Sequence, residues 1–249
     1  MTGKNWVLVI GILIGLIIIA TAVIRLTRIV PPFTPPADRQ ITPWGTLDSA
    51  TAQKLQVILD EDVNSLKVPG LQAYVQTADG QTWSGVSGTT DLARKNLMQP
   101  GDVLRVGSVT KTFTTVIVLK LVEEGRLGLD DLIAKWFPDF PNSQEITIRQ
   151  LFNHTSGITE IIPKVLMRSI LPGTYWKPDE LVALIAGDGS NFTPRGTFEY
   201  SNTNYIMLGL IAEKITGKPF AQLLHEDIID PLGLRNTYFI PYEPAPQIS

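Results

Sequence analysis

The chain has 249 residues, 44% of them hydrophobic, with a formal net charge of −3 at pH 7 and a mean hydropathy of +0.12. The absence of cysteine excludes disulfides, thiolate metal sites and a cysteine nucleophile, and an acidic balance with no basic run argues against nucleic acid as a partner. The two histidines, His154 and His225, lie far apart in the chain and argue against a histidine-rich metal site.

In chain order, residues 7–24 ("VLVIGILIGLIIIATAVI") carry no charge and are about long enough to cross a hydrocarbon core of roughly 30 Å. Residues 1–29 therefore read as an N-terminal transmembrane anchor. A secretory signal peptide is the alternative, because Ala20-Thr21-Ala22 resembles a small-residue cleavage site. Arg25 and Arg28 follow the run, and the positive-inside rule taken alone would leave the rest of the chain in the cytoplasm. Residues 30–46 hold two proline pairs and read as an extended, semi-rigid linker rather than a packed element.

The domain proper is read as residues 47–249. It opens with a helix over 47–66, on which Leu55, Ile58, Leu59 and Val63 share a face. Two short strands then meet at Asp79-Gly80, a hairpin signal. From Gly107 to Gly125 the pattern is helical, with Val109, Phe113, Val116, Ile117, Leu119 and Leu121 apolar. Further helical segments are expected near 130–136, 146–153, 178–186, 203–216 and 219–229. A lone hairpin is marginal in water, and "NTYFIPY" (236–242) is the best further strand to pair with it. The expected fold class is α+β.

Two constellations carry chemistry. Ser108 and Lys111 stand at i and i+3, so on a helix they share a face. A serine in the first turn sits beside unpaired backbone N–H groups and the positive end of the helix dipole, which suits a nucleophile whose product carries an oxyanion. A partly desolvated lysine beside it can take the serine proton. Taken alone, the same residues fit an ordinary N-cap serine and a solvated first-turn lysine. The second constellation is Tyr200 and Asn202, just before an amphipathic helix and after a Pro194-Arg195-Gly196 turn. Alternate positions in extended chain face one side, so both can point into one cleft. A tyrosine hydroxyl near a lysine can relay protons, and an asparagine amide can both donate and accept. A half-buried aromatic and a helix N-cap are the bland alternatives.

In order along the chain, "SVTK" (108–111), "LFNHTSGI" (151–158), "YSN" (200–202) and the stretch ending in "PLGLRNTYF" resemble the serine β-lactamase-like superfamily, in particular its branch of class C β-lactamases, D-alanyl-D-alanine carboxypeptidases and esterases. The resemblance covers about residues 47–239. It implies an antiparallel sheet with a helical subdomain, and an acyl-serine mechanism with neither cofactor nor metal. Ser108 is then the nucleophile, Lys111 and Tyr200 share the proton relay, and Asn202 orients the substrate amide. "HTSG" becomes a structural loop near the site, which leaves His154 outside the relay. The implied substrate is a β-lactam, a peptidoglycan D-Ala-D-Ala terminus or a small ester, met outside the cytoplasm.

The family's third motif, a Lys/His-x-Gly triplet on a strand, has no candidate after Asn202, since Thr216-Gly217 in "ITGKPF" reads as a helix end. The chain is accordingly expected to be incomplete at its C-terminus. A truncated fragment, a partner chain that completes the sheet, and a non-catalytic relative that binds cell-wall fragments or a protein all remain open.

Overall fold

The computed structural model describes residues 32–35, 44–93, 95–168, 176–187, 197–240, 242 and 243. The expected anchor, much of the linker and the Pro194-Arg195-Gly196 turn lie outside the described residues. Among those described, no helix is long and apolar enough to cross a membrane. The chain divides into two units, residues 1–104 with 247–249, and residues 105–246.

The first unit is a three-stranded antiparallel sheet with one helix packed on it. Strand β1 (Trp44–Gly45) pairs with β3 (Thr82–Gly88), which pairs in turn with β2 (Gly70–Gln76), giving the order β1-β3-β2. The hairpin runs in register from Gly70 opposite Gly88 to Gln76 opposite Thr82. Its turn falls at Asp79-Gly80 as expected. Gly80 adopts φ +84°, which glycine enters without the Cβ clash that other residues meet. Helix α1 (Ser49–Ser65) starts at Asp48, whose carboxylate accepts from the Thr51 N–H at 2.9 Å.

The buried face of α1 is Ala52, Gln56, Leu59 and Val63, while Ile58, expected on that face, is 53% exposed. Gln56 displaces it because its amide is satisfied inside, donating to the Val86 carbonyl at 3.0 Å and to Asp60 at 3.1 Å. Trp83 fills the space between α1 and the sheet, and its ring folds back over Gly85, where a Cβ would meet it at 2.3 Å.

Two expectations about the sheet and the linker are corrected. The sheet's third strand comes from Trp44–Gly45, inside the segment read as linker, whereas residues 236–240 and 242 form turns and irregular chain. The strand-like alternation of that later segment is overridden by aromatic packing: Phe239 lies against Phe220 and Tyr242 with ring centroids 5.5 and 5.1 Å away. The linker is also not wholly unpacked. Phe33 is buried, and its backbone exchanges two hydrogen bonds with the Asn64 side chain, at 2.7 and 2.9 Å.

The second unit is helical. A 3-10 turn (Gly107–Val109) leads into α2 (Thr110–Glu123), followed by α3 (Ile148–Phe152), α4 (Ile162–Arg168), α5 (Pro178–Ala186), α6 (Asn202–Thr216) and α7 (Phe220–Leu224), which continues as a π-turn over His225–Ile229. Where a helix was expected near 130–136, only a 3-10 turn at Ile133–Lys135 forms. Helix α3 opens with a reciprocal cap in which Gln150 accepts from the Thr147 N–H at 2.8 Å while Thr147 accepts from the Gln150 N–H at 3.3 Å. Gly217, at φ +71°, ends α6, so the "ITGK" segment is a helix terminus as read.

Helix α6 is the axis of this core. Met207, Leu208, Ile211 and Ala212 are fully buried, against Ile117, Val118 and Leu121 of α2 and Val182 and Ile185 of α5. On α2 the apolar residues go all round, so Val116 and Leu119 remain exposed, as does Val109 in the turn before it, and Thr114 is buried instead. Because Leu208 has no solvent contact, Leu208→Ala is expected to destabilise the protein by about 2–5 kcal/mol through lost transfer energy and a cavity, measurable as a drop in the urea midpoint.

Candidate active site

The N-terminus of α6 is positioned by the loop 154–160. The Glu199 N–H donates to the His154 carbonyl at 2.9 Å, and the Ser201 N–H donates to His154 Nδ1 at 3.2 Å. The Thr203 hydroxyl donates to the Thr159 carbonyl at 2.7 Å. These bonds hold Tyr200 in extended chain one step before Ser201, the N-cap of α6, and make Asn202 its first residue. Tyr200 is 42% exposed.

Opposite it, the 3-10 turn brings Ser108 up at the head of α2. Ser108 Oγ lies 2.8 Å from Tyr200 Oη and 3.4 Å from Lys111 Nζ. Lys111 Nζ also donates to Asn202 Oδ1 at 2.5 Å and lies 4.9 and 5.4 Å from the ring centroids of Tyr200 and Tyr205. All four residues singled out from the motifs thus meet at one point, although Ser108 and Tyr200 are 92 positions apart. The hydrogen bond from Lys111 first, then that with Ser108, holds the Tyr200 hydroxyl below the ordinary tyrosine value of 10.0. Its ionised form is favoured by the same contacts that fix it in place.

His154 lies beneath this cluster as a support. Its ring is 4.5 Å from that of Tyr200 and 5.4 Å from that of Tyr205, centroid to centroid. Its backbone takes φ +59°, rare for a residue with a Cβ, and the carbonyl and side-chain bonds to 199–201 depend on that turn. Burial first, then the Lys111 charge, pushes its imidazole below the ordinary value of 6.5. Since Nδ1 accepts the Ser201 N–H, the neutral ring carries its proton on Nε2. This position fits the reading of "HTSG" as a structural loop.

Glu160 is the residue that motif reasoning missed. Its carboxylate accepts from the Asn202 N–H at 2.5 Å, from Asn202 Nδ2 at 3.0 Å and from the Ile162 N–H at 2.8 Å, so it caps α6 and α4 together. With Nδ2 engaged there, the Asn202 amide has one orientation left, oxygen toward Lys111. No cue in the sequence marks Glu160, because its partner lies 42 residues away. Glu160→Ala is expected to slow acylation roughly 10- to 100-fold, the scale of a lost charge-assisted hydrogen bond. Glu160→Gln should recover part of the loss, and stopped-flow labelling of the two variants checks both. Among the described residues, no group of three or more His, Asp or Glu is placed to hold a metal ion.

Residues 55–248 match the family model described as Beta-lactamase. The chain belongs to the beta-lactamase family. Protein flp of Staphylococcus aureus (strain MW2) is 30% identical over 199 residues, which cover 78% of this chain and 39% of the relative. Penicillin-binding protein 4* of Bacillus subtilis (strain 168) is 30% identical over 152 residues, covering 60% of this chain and 33% of the relative. The structure of D-amino acid amidase from Ochrobactrum anthropi SV3 complexed with L-phenylalanine amide superposes with a TM-score of 0.71 at 32% identity, over 80% of this chain and 56% of that one. The serine β-lactamase and penicillin-binding-protein-like superfamily expected from the motifs is therefore the family of this chain, and its helices with a small antiparallel sheet fit that fold. As a beta-lactamase-family member it spans well under half the length of these two curated relatives.

Proposed function

We propose that this protein is a serine hydrolase that works through an acyl-serine intermediate on a β-lactam, a D-Ala-D-Ala peptide or a small ester or amide. The observation that carries the proposal is the 2.8 Å contact of Ser108 Oγ with Tyr200 Oη, made while Lys111 Nζ reaches both Ser108 and Asn202. Tyr200, its ionised form favoured by Lys111, takes the Ser108 proton as Oγ bonds to the substrate carbonyl carbon. The backbone N–H of Ser108, near the head of α2, is one donor for the developing oxyanion. As the carbon–leaving-group bond breaks, Tyr200 passes the proton to the departing oxygen or nitrogen. Water then cleaves the acyl-serine and returns a proton to Ser108. Asn202 holds Lys111 through Oδ1 and Glu160 through one N–H of Nδ2, which leaves the second N–H of Nδ2 to orient the substrate amide through its carbonyl.

The name of Penicillin-binding protein 4* supports placing a β-lactam in the substrate class. The charge-free run at residues 7–24 supports attachment to a membrane; the domain is placed outside the cytoplasm on the proposed substrate class, against the charge signal of Arg25 and Arg28. A topology reporter joined after Ser249 that is active only in the cytoplasm would reverse that placement.

The test is covalent labelling of the 249-residue chain with a fluorescent penicillin and, separately, a fluorophosphonate, with the adduct located by peptide mass spectrometry. An adduct on Ser108 that disappears in Ser108→Ala is the expected result. Folded protein that takes neither probe would leave the cleft as a binding site without chemistry.

A further inference from the structure

A cavity of about 620 Å³ opens beside Ser108, with Lys111 and Asn202 on the same wall. Away from these three residues the lining turns apolar, through Ile206 and Leu210 of α6, Leu181 of α5, Val165 of α4 and Phe220 at the far end. Two polar side chains on the wall are already engaged: the Thr114 hydroxyl donates to the Thr110 carbonyl, and Glu213 accepts from the Phe220 N–H at 2.7 Å. Among the described residues, the buried Trp176 indole N–H faces no partner. A volume of this size, mostly apolar away from its reactive end, has the form of a small-molecule pocket.

Tyr200 decides which half of the substrate enters. It does not line the cavity, whereas Ser108, Lys111 and Asn202 do. A leaving group must sit within reach of the hydroxyl that protonates it, which places it on the Tyr200 side. We infer that the cavity takes the acyl half, and that the preferred substrates are esters or amides of an apolar acyl group of about six carbons or more. This rests on the acyl-serine mechanism proposed above and adds the substrate's apolar half to it. Acylation bonds Ser108 Oγ to the carbonyl carbon and releases the alcohol or amine with the serine proton. The acyl chain stays in the cavity until water releases the carboxylic acid.

Each methylene moved from water into an apolar site favours binding about fourfold, so the four that separate hexanoyl from acetyl p-nitrophenyl esters set a ceiling of about 250-fold, and kcat/KM should rise by at least about tenfold. Turnover remaining in Ser108→Ala is subtracted as background. Gly209 lines the cavity, and a Cβ there meets only the Phe220 ring, at an ordinary 3.6 Å. Gly209→Leu should therefore fit at its first carbon, fill the space beyond and cut the hexanoyl-to-acetyl ratio by at least tenfold. Leu181→Trp gives the same readout from the opposite wall if the first variant does not fold. A Ser108-dependent hydrolysis that ignores acyl length, or follows the length of the leaving alcohol instead, overturns the pocket and leaves the mechanism standing. No Ser108-dependent hydrolysis of any ester, together with no fluorophosphonate adduct, overturns the mechanism and with it the pocket.

Discussion

Lys111→Met is expected to slow acylation of Ser108 by about 10³-fold, within the 10²–10⁴ range of positioned acid–base groups. Methionine keeps much of the length and apolar stem of lysine but removes every donor. Three consequences then act together. The hydrogen bond to Ser108 Oγ disappears, Asn202 Oδ1 loses its donor, and Tyr200 loses the contact that contributes most to favouring its ionised form. Arginine is not expected to restore the rate, since its planar fork cannot place one compact charge between Ser108 Oγ and Asn202 Oδ1. Stopped-flow labelling with a fluorescent penicillin or fluorophosphonate measures the acylation step directly. A loss below tenfold would mean that Lys111 only packs against the Tyr200 and Tyr205 rings.

These effects are coupled and will not add. Removing Lys111 and Tyr200 together should cost little more than removing one of them, because each depends on the other for its role. The loop 154–160 enters the same network one layer further out. It fixes Asn202 through Glu160 and Tyr200 through His154, so its substitutions should slow the reaction by smaller factors than those at Lys111 or Tyr200.

The four clustered residues are legible in the sequence as two local pairs. Ser108 and Lys111 sit one helical turn apart, and Tyr200 and Asn202 stand two positions apart where the chain enters α6, so spacing allows each pair a common face. That the two pairs meet became readable only through the ordered motifs of the family resemblance. Glu160 was not legible, since a carboxylate six residues after His154 carries no periodic signal and its purpose appears only when α6 is docked. The helices that spacing marked are present, apart from the short turn at Ile133–Lys135. The misplaced features share one cause, tertiary packing overriding local pattern. Gln56 took a buried position on α1 by finding two acceptors, and Phe239 left an apparent strand for an aromatic cluster. Trp44–Gly45 is too short to give a strand pattern at all.

Tyr200→Phe is expected to remove the pH dependence of acylation along with most of its rate. With the hydroxyl held below its ordinary value of 10.0 by Lys111 and Ser108, the fraction of Tyr200 present as phenolate rises with pH up to that lowered value. If phenolate is the base, acylation by the native protein climbs through neutral and alkaline pH, about tenfold per unit well below the lowered value, and levels off before pH 10. Phenylalanine keeps the ring against His154 and the cation over its face, so the variant should fold and keep Lys111 near Ser108. Its acylation should fall about 10²–10⁴-fold and lose the rising limb. The rate against pH, measured for both proteins from pH 6 to 10, separates the two partners of the relay. A rising limb that survives in Tyr200→Phe would assign the proton transfer to Lys111 and leave Tyr200 to orient it.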